Sequence, residues 1–523
     1  MTKRTSQHRL LFTVLLVCLQ ATPLRANEPT PYLARANQVL DRWVARKDPT
    51  TSLLSGEDNQ WSIRTTAAQV FPALVLTSWF TNMDLYEGLL LETLHEERRL
   101  TTRLSVFPDN YHLGDKRFVR SSRNSDEILI NASAYAGGLA RITSIIGHCP
   151  WTDRLKGIID ALFLRARATT DYAEGALPSN DLRVTGRVLK TLPLLAELYG
   201  DEGYLYYARR VGDAYCVGVM PKNGGLPAER WNFDADKAHA SSLILDESGV
   251  SFIEGLVSLY AVEVRDGSAR SDIYRPALSA MFDVLFQHGL KENERFHRRL
   301  QPDGRGGYSI DRKRESPHTV RLLNAAYRYG LLSANPAYSD LASAALQRYR
   351  SDPATNTRDL PALMEATHLS LFPLADAASA RQAVLAVPAE GQTETDDAKQ
   401  LIALLAAHWS ESVGSRAHPW RPDLALQAKR LEEGIQVRLS VTEPWSGLIY
   451  PSHNRPASRL PDGFPDGFNT QPGRSYRIVK DRAVSFWDGE FLATGLRANL
   501  REGVTVDIIA APVQAPPPPD TPQ

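Results

Sequence analysis

Apolar residues recur every three to four positions from Pro31 to about Glu433, which is the spacing of amphipathic helices. Turn-forming groups such as YGDEG, KNGG and PDGRGG separate these stretches, and strand-like alternation is almost absent between them. The candidate helices are of ordinary length, and some 12 to 14 of them in hairpin succession predict a toroid or a solenoid of helical pairs. The predicted helices are 31–46, 64–79, 83–105, 126–147, 151–168, 185–199, 201–216, 248–265, 271–289, 317–332, 336–350, 360–371, 374–386, 395–412 and 420–434.

The pattern changes after Gly434, where short β-branched and aromatic segments lie between Pro, Gly and Asp residues. Examples are IQVRLSV, SYRIVK and VTVDIIA, and a turn-rich loop, RLPDGFPDGFNTQPGR, lies among them. We therefore expect a helical domain at 27–434 and a β-module of about five strands at 435–511. The proline-rich end, residues 512–523, is predicted to be disordered.

The amino-terminal residues predict export. A basic start, MTKRTSQHR, precedes the apolar run LLFTVLLVCL, and Ala26 follows at a plausible cleavage point. This run is too short to span a bilayer and is typical of a signal peptide, predicted at 1–26. The mature protein is therefore expected to be secreted or periplasmic. Cys149 and Cys216 would remain in it and could pair in an oxidising compartment, although the sequence does not show that they are close.

The charge balance argues against two classes of partner. The chain has 60 Lys and Arg against 60 Asp and Glu, and the predicted signal peptide holds four of the basic residues and no acidic one. The mature chain would carry a net charge of −4. No polybasic stretch is present that would bind nucleic acid or an anionic membrane. The sequence gives no indication of the oligomeric state.

A helical-hairpin domain followed by a compact β-module resembles the (α/α) toroid enzymes that act on polysaccharides, namely the six-hairpin glycosidases and the toroid polysaccharide lyases. The stretch PDGRGGYSIDRKRESPHTVRLLNAAYRYGLL, Pro302 to Leu332, is similar to their inner-helix entrances. It has a glycine-rich loop, then aromatic and charged residues, then a helix. The resemblance implies a mainly α fold, an (α/α)6-type helical toroid with a small C-terminal β-module, and a poly- or oligosaccharide substrate. No family-defining motif is present, so no catalytic residue is carried over.

The first of three polar helix entrances lies before the predicted helix 126–147. Ser125 fits an N-cap, and Asp126 and Glu127 suit the positive end of the helix, so capping is one interpretation of both acids. The functional interpretation makes Asp126 or Glu127 a catalytic carboxylate, with Arg120 or Arg123 binding a uronate. The small residues of SAYAGG, further along, would then allow another helix to approach closely.

The second entrance is RWNFDADKAHASSLILDESGVSFIEGLVSLY, Arg230 to Tyr260. Asp246 and Glu247 directly precede the helix and could be caps, and Glu247 is also a candidate catalytic acid. Glu254 lies at the edge of the apolar stripe. It either reaches water or is half-buried, and half-burial would raise its pKa, as a general acid requires.

Aromatic residues accompany acids in the loop before this helix. Trp231 lies near Asp234, Asp236 and His239, which suits a sugar, because an aromatic ring can stack on the sugar while polar groups bind its hydroxyls. A calcium site from Asp234, Asp236 and Asp246 is an alternative, but the spacing matches no EF-hand loop. The twelve histidines are scattered, which argues against a zinc cluster. We therefore predict no metal or other cofactor.

The third entrance lies within Pro302–Leu332, where Tyr308 precedes the predicted helix 317–332 and His318 lies in its first turn. A local basic patch in this otherwise neutral protein indicates either recognition of an anionic substrate or a solvated charge run. The patch consists of Arg305, Arg312, Lys313 and Arg314.

Three functions remain open. The leading hypothesis is a glycoside hydrolase acting on a uronate-containing saccharide, with Asp126 paired with Glu247 or Glu254. The alternative is a polysaccharide lyase, in which Arg or Asn neutralises the uronate carboxylate and Tyr or His removes a proton. Its candidate residues are Asn124, Arg230, His239, Tyr308 and His318. The third possibility is a non-catalytic sugar-binding or scaffold protein.

Overall fold

The computed structural model describes residues 31–119, 125–349, 362, 384–385, 393–431, 434–451, 470, 473–480 and 483–513. The predicted signal peptide, the candidates Arg120, Arg123 and Asn124, and almost all of the predicted helices 360–371 and 374–386 lie outside these residues. Most of the predicted tail at 512–523 does so as well. Export and tail disorder therefore stay predictions.

Helices dominate the described chain up to residue 412. They are α1 Pro31–Val44, α2 Phe71–Thr81, α3 Met83–Leu85, α4 Leu91–Leu100, α5 Ser125–Ile146, α6 Pro150–Leu164, α7 Leu182–Tyr199, α8 Glu202–Asp213, α9 Met220–Lys222, α10 Glu247–Arg265, α11 Arg270–Val284, α12 Thr319–Leu332, α13 Pro336–Tyr349 and α14 Glu394–Ser412, with α15 Gly489–Ala493 inside the β-module. π-helical segments at Ile63–Val70, Tyr86–Leu90, Ala214–Val219 and Leu285–Gly289 adjoin α2, α4, α8 and α11.

The helices pack as a ring of pairs. Inner helices contact one another in order, α2 with α5, α5 with α7, α7 with α10 and α10 with α12, and α14 returns to pack against α1 and the start of α2. Every residue of α2 is buried, whereas helices such as α8 and α11 expose a polar face. The predicted fold class is confirmed: a mainly α, (α/α)6-type helical toroid followed by a β-module.

Glycines bring the inner helices close together. A Cβ on Gly255 of α10 would lie 2.6 Å from the backbone nitrogen of Lys190, and one on Gly186 of α7 would lie 2.6 Å from the carbonyl oxygen of Ser248. Neither site has room for a side chain, so α7 and α10 are held with these faces in contact. Gly138, in the predicted small-residue stretch, likewise abuts the backbone of Ala68, which confirms the predicted close approach.

Short strands fill the connections of the ring. They are β1 Gln60–Trp61, β2 Thr102–Arg103, β3 Phe107–Pro108, β4 Tyr111–His112, β5 Arg117–Phe118, β6 Arg230–Asn232, β7 Lys237–Ala240, β8 Leu243–Ile244, β9 Arg299–Pro302 and β10 Tyr308–Ile310. They form the sheets β1–β4–β5 and β10–β9–β8 and the hairpins β2–β3 and β6–β7. The sequence prediction missed them because two to four residues are too few to show strand alternation.

The β-module is a sandwich of two antiparallel sheets, one in the order β12-β13-β18-β15-β16 and one in the order β11-β14-β17. Their facing sides share one apolar core, to which Val437, Ile508 and Ile449 belong. The strands are β11 Arg416–His418, β12 Ala425–Leu431, β13 Gly434–Ser440, β14 Trp445–Tyr450, β15 Ser475–Lys480, β16 Ala483–Asp488, β17 Leu496–Leu500 and β18 Thr505–Pro512.

The boundary between the two domains lies earlier than predicted. The predicted helix 420–434 is wrong, because strand β12 occupies its middle, and the module begins at Arg416 rather than at residue 435. Leu426 and Ala428 are buried, whereas Gln427 and Lys429 are more exposed, which is the pattern of a strand with one buried face.

A stacked arginine anchors the module to the ring. The guanidinium of Arg416 lies 4.3 Å from the ring centroid of Trp79 in α2 and 3.9 Å from that of Tyr450 in β14. Burial lowers the pKa of Arg416 to about 10, while Tyr450 partly opposes this. The two rings compensate for part of the lost hydration of the cation.

Cys149 and Cys216 are both buried free thiols, so the pairing that the sequence left open is not made.

Within the described ranges, no helix combines the length and the apolar character that crossing a bilayer requires.

Candidate active site

Charged side chains converge where the amino-terminal ends of the inner helices meet. The Nη2 of Arg64, in the π-helical segment before α2, lies 2.5 Å from Glu127 of α5. Lys190 of α7 reaches Glu254 of α10, and Arg321 of α12 contacts α10 as well. We refer to this group as the charged centre, and it comprises Arg64, Glu127, Arg183, Arg187, Lys190, Glu247, Glu254, His318 and Arg321.

Arg321 clamps two glutamates of α10. Its Nε and Nη2 donate to the two carboxylate oxygens of Glu254 at 2.8 and 2.6 Å, and its Nη1 donates to Glu247 at 2.7 Å. Glu247 and Glu254 are seven residues apart and so lie on one face of the helix. The clamp therefore fixes α12 against that face and leaves Arg321 with all three of its nitrogens engaged.

Glu254 is completely buried, and Lys190 Nζ lies 2.9 Å from its Oε2. Burial raises the pKa of this carboxyl, but Arg321 and Lys190 outweigh that effect and hold it below its ordinary value. The sequence predicted either a water-exposed residue or a half-buried general acid with a raised pKa. Both predictions are wrong, because a carboxylate between two cations stays ionised.

Glu247 and His318 form the accessible part of the charged centre. Glu247 has 46% of its side chain exposed, and its Oε2 lies 3.5 Å from Nε2 of His318. Arg321, His318 and Lys190 hold the pKa of Glu247 well below its usual range, despite the opposing effect of burial. Burial lowers the pKa of His318 to about 4, although Glu247 raises it. A carboxylate and a neutral imidazole therefore lie side by side at neutral pH.

A basic stripe that the sequence-based expectations did not include lies on α7. Arg183, Arg187 and Lys190 are spaced by four and three residues, so they share one face of an otherwise apolar helix. Glu247 and Glu254 are spaced by seven residues on α10, which packs against α7. These spacings are visible in the sequence and could have indicated two complementary faces. Arg321 lies between Val320 and Leu322 in an apolar helix, and its role was likewise not predicted from the sequence.

Asp126 and Arg230 meet beside the charged centre. Arg230 Nη2 lies 3.0 Å from Asp126 Oδ2, and its Nε donates to Asn180 at 3.3 Å. The Asp126 side chain is 60% exposed. The structure thus pairs Asp126 with Arg230, whereas Glu247 is held by Arg321 and His318.

Three other predicted site residues lie elsewhere. Trp231 is 2% exposed and belongs to the hydrophobic core, so its predicted stacking on a sugar is wrong. His239 is exposed on β7, and among the described residues no hydrogen bond or ion pair joins it to the charged centre. Tyr308 donates its hydroxyl to the carbonyl of Gly224 at 2.5 Å and contacts the ring of His288. Of the three residues predicted as the base of a lyase, His239, Tyr308 and His318, only His318 is in the charged centre.

Two of the three carboxylates of the calcium alternative, Asp236 and Asp246, are engaged separately. Asp236 pairs with Lys222, and Asp246 caps α10 by accepting from the backbone nitrogens of Ser248 and Gly249 at 3.0 and 3.4 Å. This confirms the capping interpretation of Asp246. In the part of the chain that the structure describes, no three His, Cys, Asp or Glu side chains are grouped so as to hold a metal ion.

Comparison with known proteins gives structural likenesses only. No family model and no curated protein matches the chain. A D-mannose isomerase aligns at 10% identity over 61% of this chain and 84% of its own, with a TM-score of 0.44. A cellobiose 2-epimerase from Bacillus thermoamylovorans aligns at 10% identity over 60% and 86%, with a TM-score of 0.40. A GH127 β-L-arabinofuranosidase from Geobacillus stearothermophilus aligns at 10% identity over 94% and 78%, also with a TM-score of 0.40.

Proposed function

We propose that the protein is a carbohydrate-active enzyme that cleaves uronate-containing poly- or oligosaccharides at the charged centre, by elimination with His318 as the base. The observation that carries the proposal is the position of the His318 imidazole, whose Nε2 lies 3.5 Å from Oε2 of Glu247, a carboxylate that Arg321 holds in place. Burial lowers the pKa of His318 to about 4. A base must be unprotonated to accept a proton, and this imidazole meets that condition at neutral pH.

The charge of the centre supports an anionic substrate. It has five cations, Arg64, Arg183, Arg187, Lys190 and Arg321, against four carboxylates, Glu127, Glu247, Glu254 and the Asp181 that pairs with Arg183. Glu254 is buried and Arg321 is largely buried, so water screens these two charges less than it screens charges on an open surface. A surplus of positive charge concentrates negatively charged ligands. A uronate is a sugar with this charge.

The elimination requires one base and nearby cations. His318 takes the proton from the carbon that bears the carboxylate, and guanidinium groups stabilise the negative charge that spreads onto that carboxylate. The bond from the neighbouring carbon to the glycosidic oxygen then breaks, and a carbon–carbon double bond forms. The departing sugar oxygen takes up a proton, which the His318 imidazolium can return.

Hydrolysis is the second candidate, because carboxylates stand at the ends of two different inner helices. Glu127 lies in the first turn of α5 and Glu247 in that of α10. A hydrolase requires one carboxyl to be protonated as the general acid. The lowered pKa values of Glu247 and Glu254 keep both ionised, so neither supplies that proton. For this reason we rank hydrolysis below elimination.

The test is incubation with a panel of uronate polysaccharides, with reducing ends and ultraviolet absorbance measured on the same samples. Elimination predicts one new reducing end for each new conjugated double bond, which absorbs in the ultraviolet. Reducing ends without the absorbance would replace elimination by hydrolysis. Neither signal on any uronate polymer would contradict the enzymatic proposal and favour a sugar-binding protein.

A further inference from the structure

Arg187 differs from its neighbours on the α7 stripe in its partners. Arg183 pairs with Asp181 at 2.7 Å, and Lys190 pairs with Glu254 at 2.9 Å. Arg187 donates from Nη1 to the carbonyl oxygen of Arg183 at 3.2 Å. Among the described residues, no carboxylate forms an ion pair with Arg187. Since a guanidinium has five donors, most of its hydrogen-bonding capacity is left for water or a ligand.

The surroundings of Arg187 raise the free-energy cost of a charged guanidinium that has no counter-ion. Its side chain is largely buried, and burial lowers the pKa of Arg187. Glu247 and Asp246 favour the charged form from a distance, whereas Arg64 and Arg183 oppose it. A guanidinium that has lost water and lies near other cations gains more from a bound anion than an exposed one does.

We propose that Arg187 binds the carboxylate of the sugar residue at the charged centre, and that it determines the preference for acidic over neutral sugars. The planar guanidinium matches a carboxylate in a two-point contact, which a lysine cannot reproduce. Arg321 is engaged by Glu254 and Glu247, so it is less able to take this role. This inference rests on the proposed function, because it assumes a saccharide in the charged centre.

The experiment measures binding rather than turnover. Calorimetry on the full-length His318→Gln variant compares a uronate oligosaccharide with the same compound after its carboxylates have been reduced to alcohols. We expect the acidic form to bind about 10- to 100-fold more tightly, which is the usual effect of a charge-assisted hydrogen-bonded pair. Adding Arg187→Gln should remove most of that difference by weakening the acidic form alone.

Arg275→Gln is the matched control, because Arg275 is a partly exposed arginine of the outer helix α11, paired with Asp272. It should leave the preference unchanged, and Arg187→Lys should keep only part of it. If Arg187→Gln does not fold, the loss of preference for the acidic oligosaccharide is measured on Arg187→Lys instead. Equal binding of both sugars by the parent, or an unchanged preference after replacement of Arg187, would overturn the inference. Selective binding without any product from the wild type would contradict the proposed function and leave this inference standing.

Discussion

Replacing His318 by Gln should lower kcat on a uronate polysaccharide by about 10²- to 10⁴-fold, the usual contribution of a general base. Glutamine keeps a polar side chain of similar size but cannot take up a proton. Since His318 is partly exposed and makes no tight ion pair, we expect the free energy of unfolding to change by less than about 1 kcal/mol. Steady-state kinetics and urea denaturation of the same preparation measure the two effects.

The matched control is His239→Gln, which replaces the exposed histidine on β7 that the sequence also nominated. It should keep full turnover. The pH dependence gives a second check. Because the base works when unprotonated and its pKa is about 4, kcat/KM should fall only as the pH drops towards 4. A loss centred near the ordinary histidine value of about 6.5, or full activity of His318→Gln, would remove His318 from the mechanism.

Arg321→Gln should destabilise the protein by about 3–5 kcal/mol, the cost of removing one partner of a buried ion pair. Glu254 is fully buried, so without Arg321 only Lys190 would compensate its charge. In the native protein the pKa of Glu254 is lowered, so the ion pair stabilises the fold at neutral pH and loses this effect as the pH falls through the folded-state pKa. Urea denaturation at several pH values measures both the loss and its pH dependence.

Two variants separate this effect from general damage. The double variant Arg321→Gln with Glu254→Gln should be more stable than Arg321→Gln alone, because the uncompensated charge is gone. Arg275→Gln, at the partly exposed pair with Asp272, should cost at most about 1 kcal/mol. The deficit of Arg321→Gln should also shrink at acid pH, where Glu254 can take up a proton. If Arg321→Gln is as stable as the wild type, the clamp contributes little to the free energy of unfolding.

The ring was predictable because each inner helix must bury an apolar face, and this requirement is written in the spacing of its residues. Helices α10 and α14 follow their predicted ranges to within a few residues. The domain boundary was not predicted correctly, because Leu424 to Leu431 fits both a helical and an alternating pattern. The segment is a strand because β12 pairs with β13, and the spacing of apolar residues does not reveal this pairing.

The charged centre was only partly predictable. Glu247 and His318 stood out because they begin helices, where polar side chains are easily noticed. The state of Glu254 could not be inferred, since it depends on Arg321, 67 residues away, and on the glycine contact that brings Lys190 against α10. Ion pairs with Arg321 and Lys190 lower the pKa of Glu254, whereas the sequence predicted that half-burial would raise it. The same limit explains why Trp231 looked like a sugar-stacking residue but is part of the core.

A crystal structure of the His318→Gln variant with a uronate oligosaccharide tests the central claim most directly. The account predicts a sugar residue in the charged centre, with its carboxylate on Arg187 and the carbon that bears it facing residue 318. Oligosaccharide found only on the outer helices or on the β-module, with the charged centre unchanged and empty, would contradict the account.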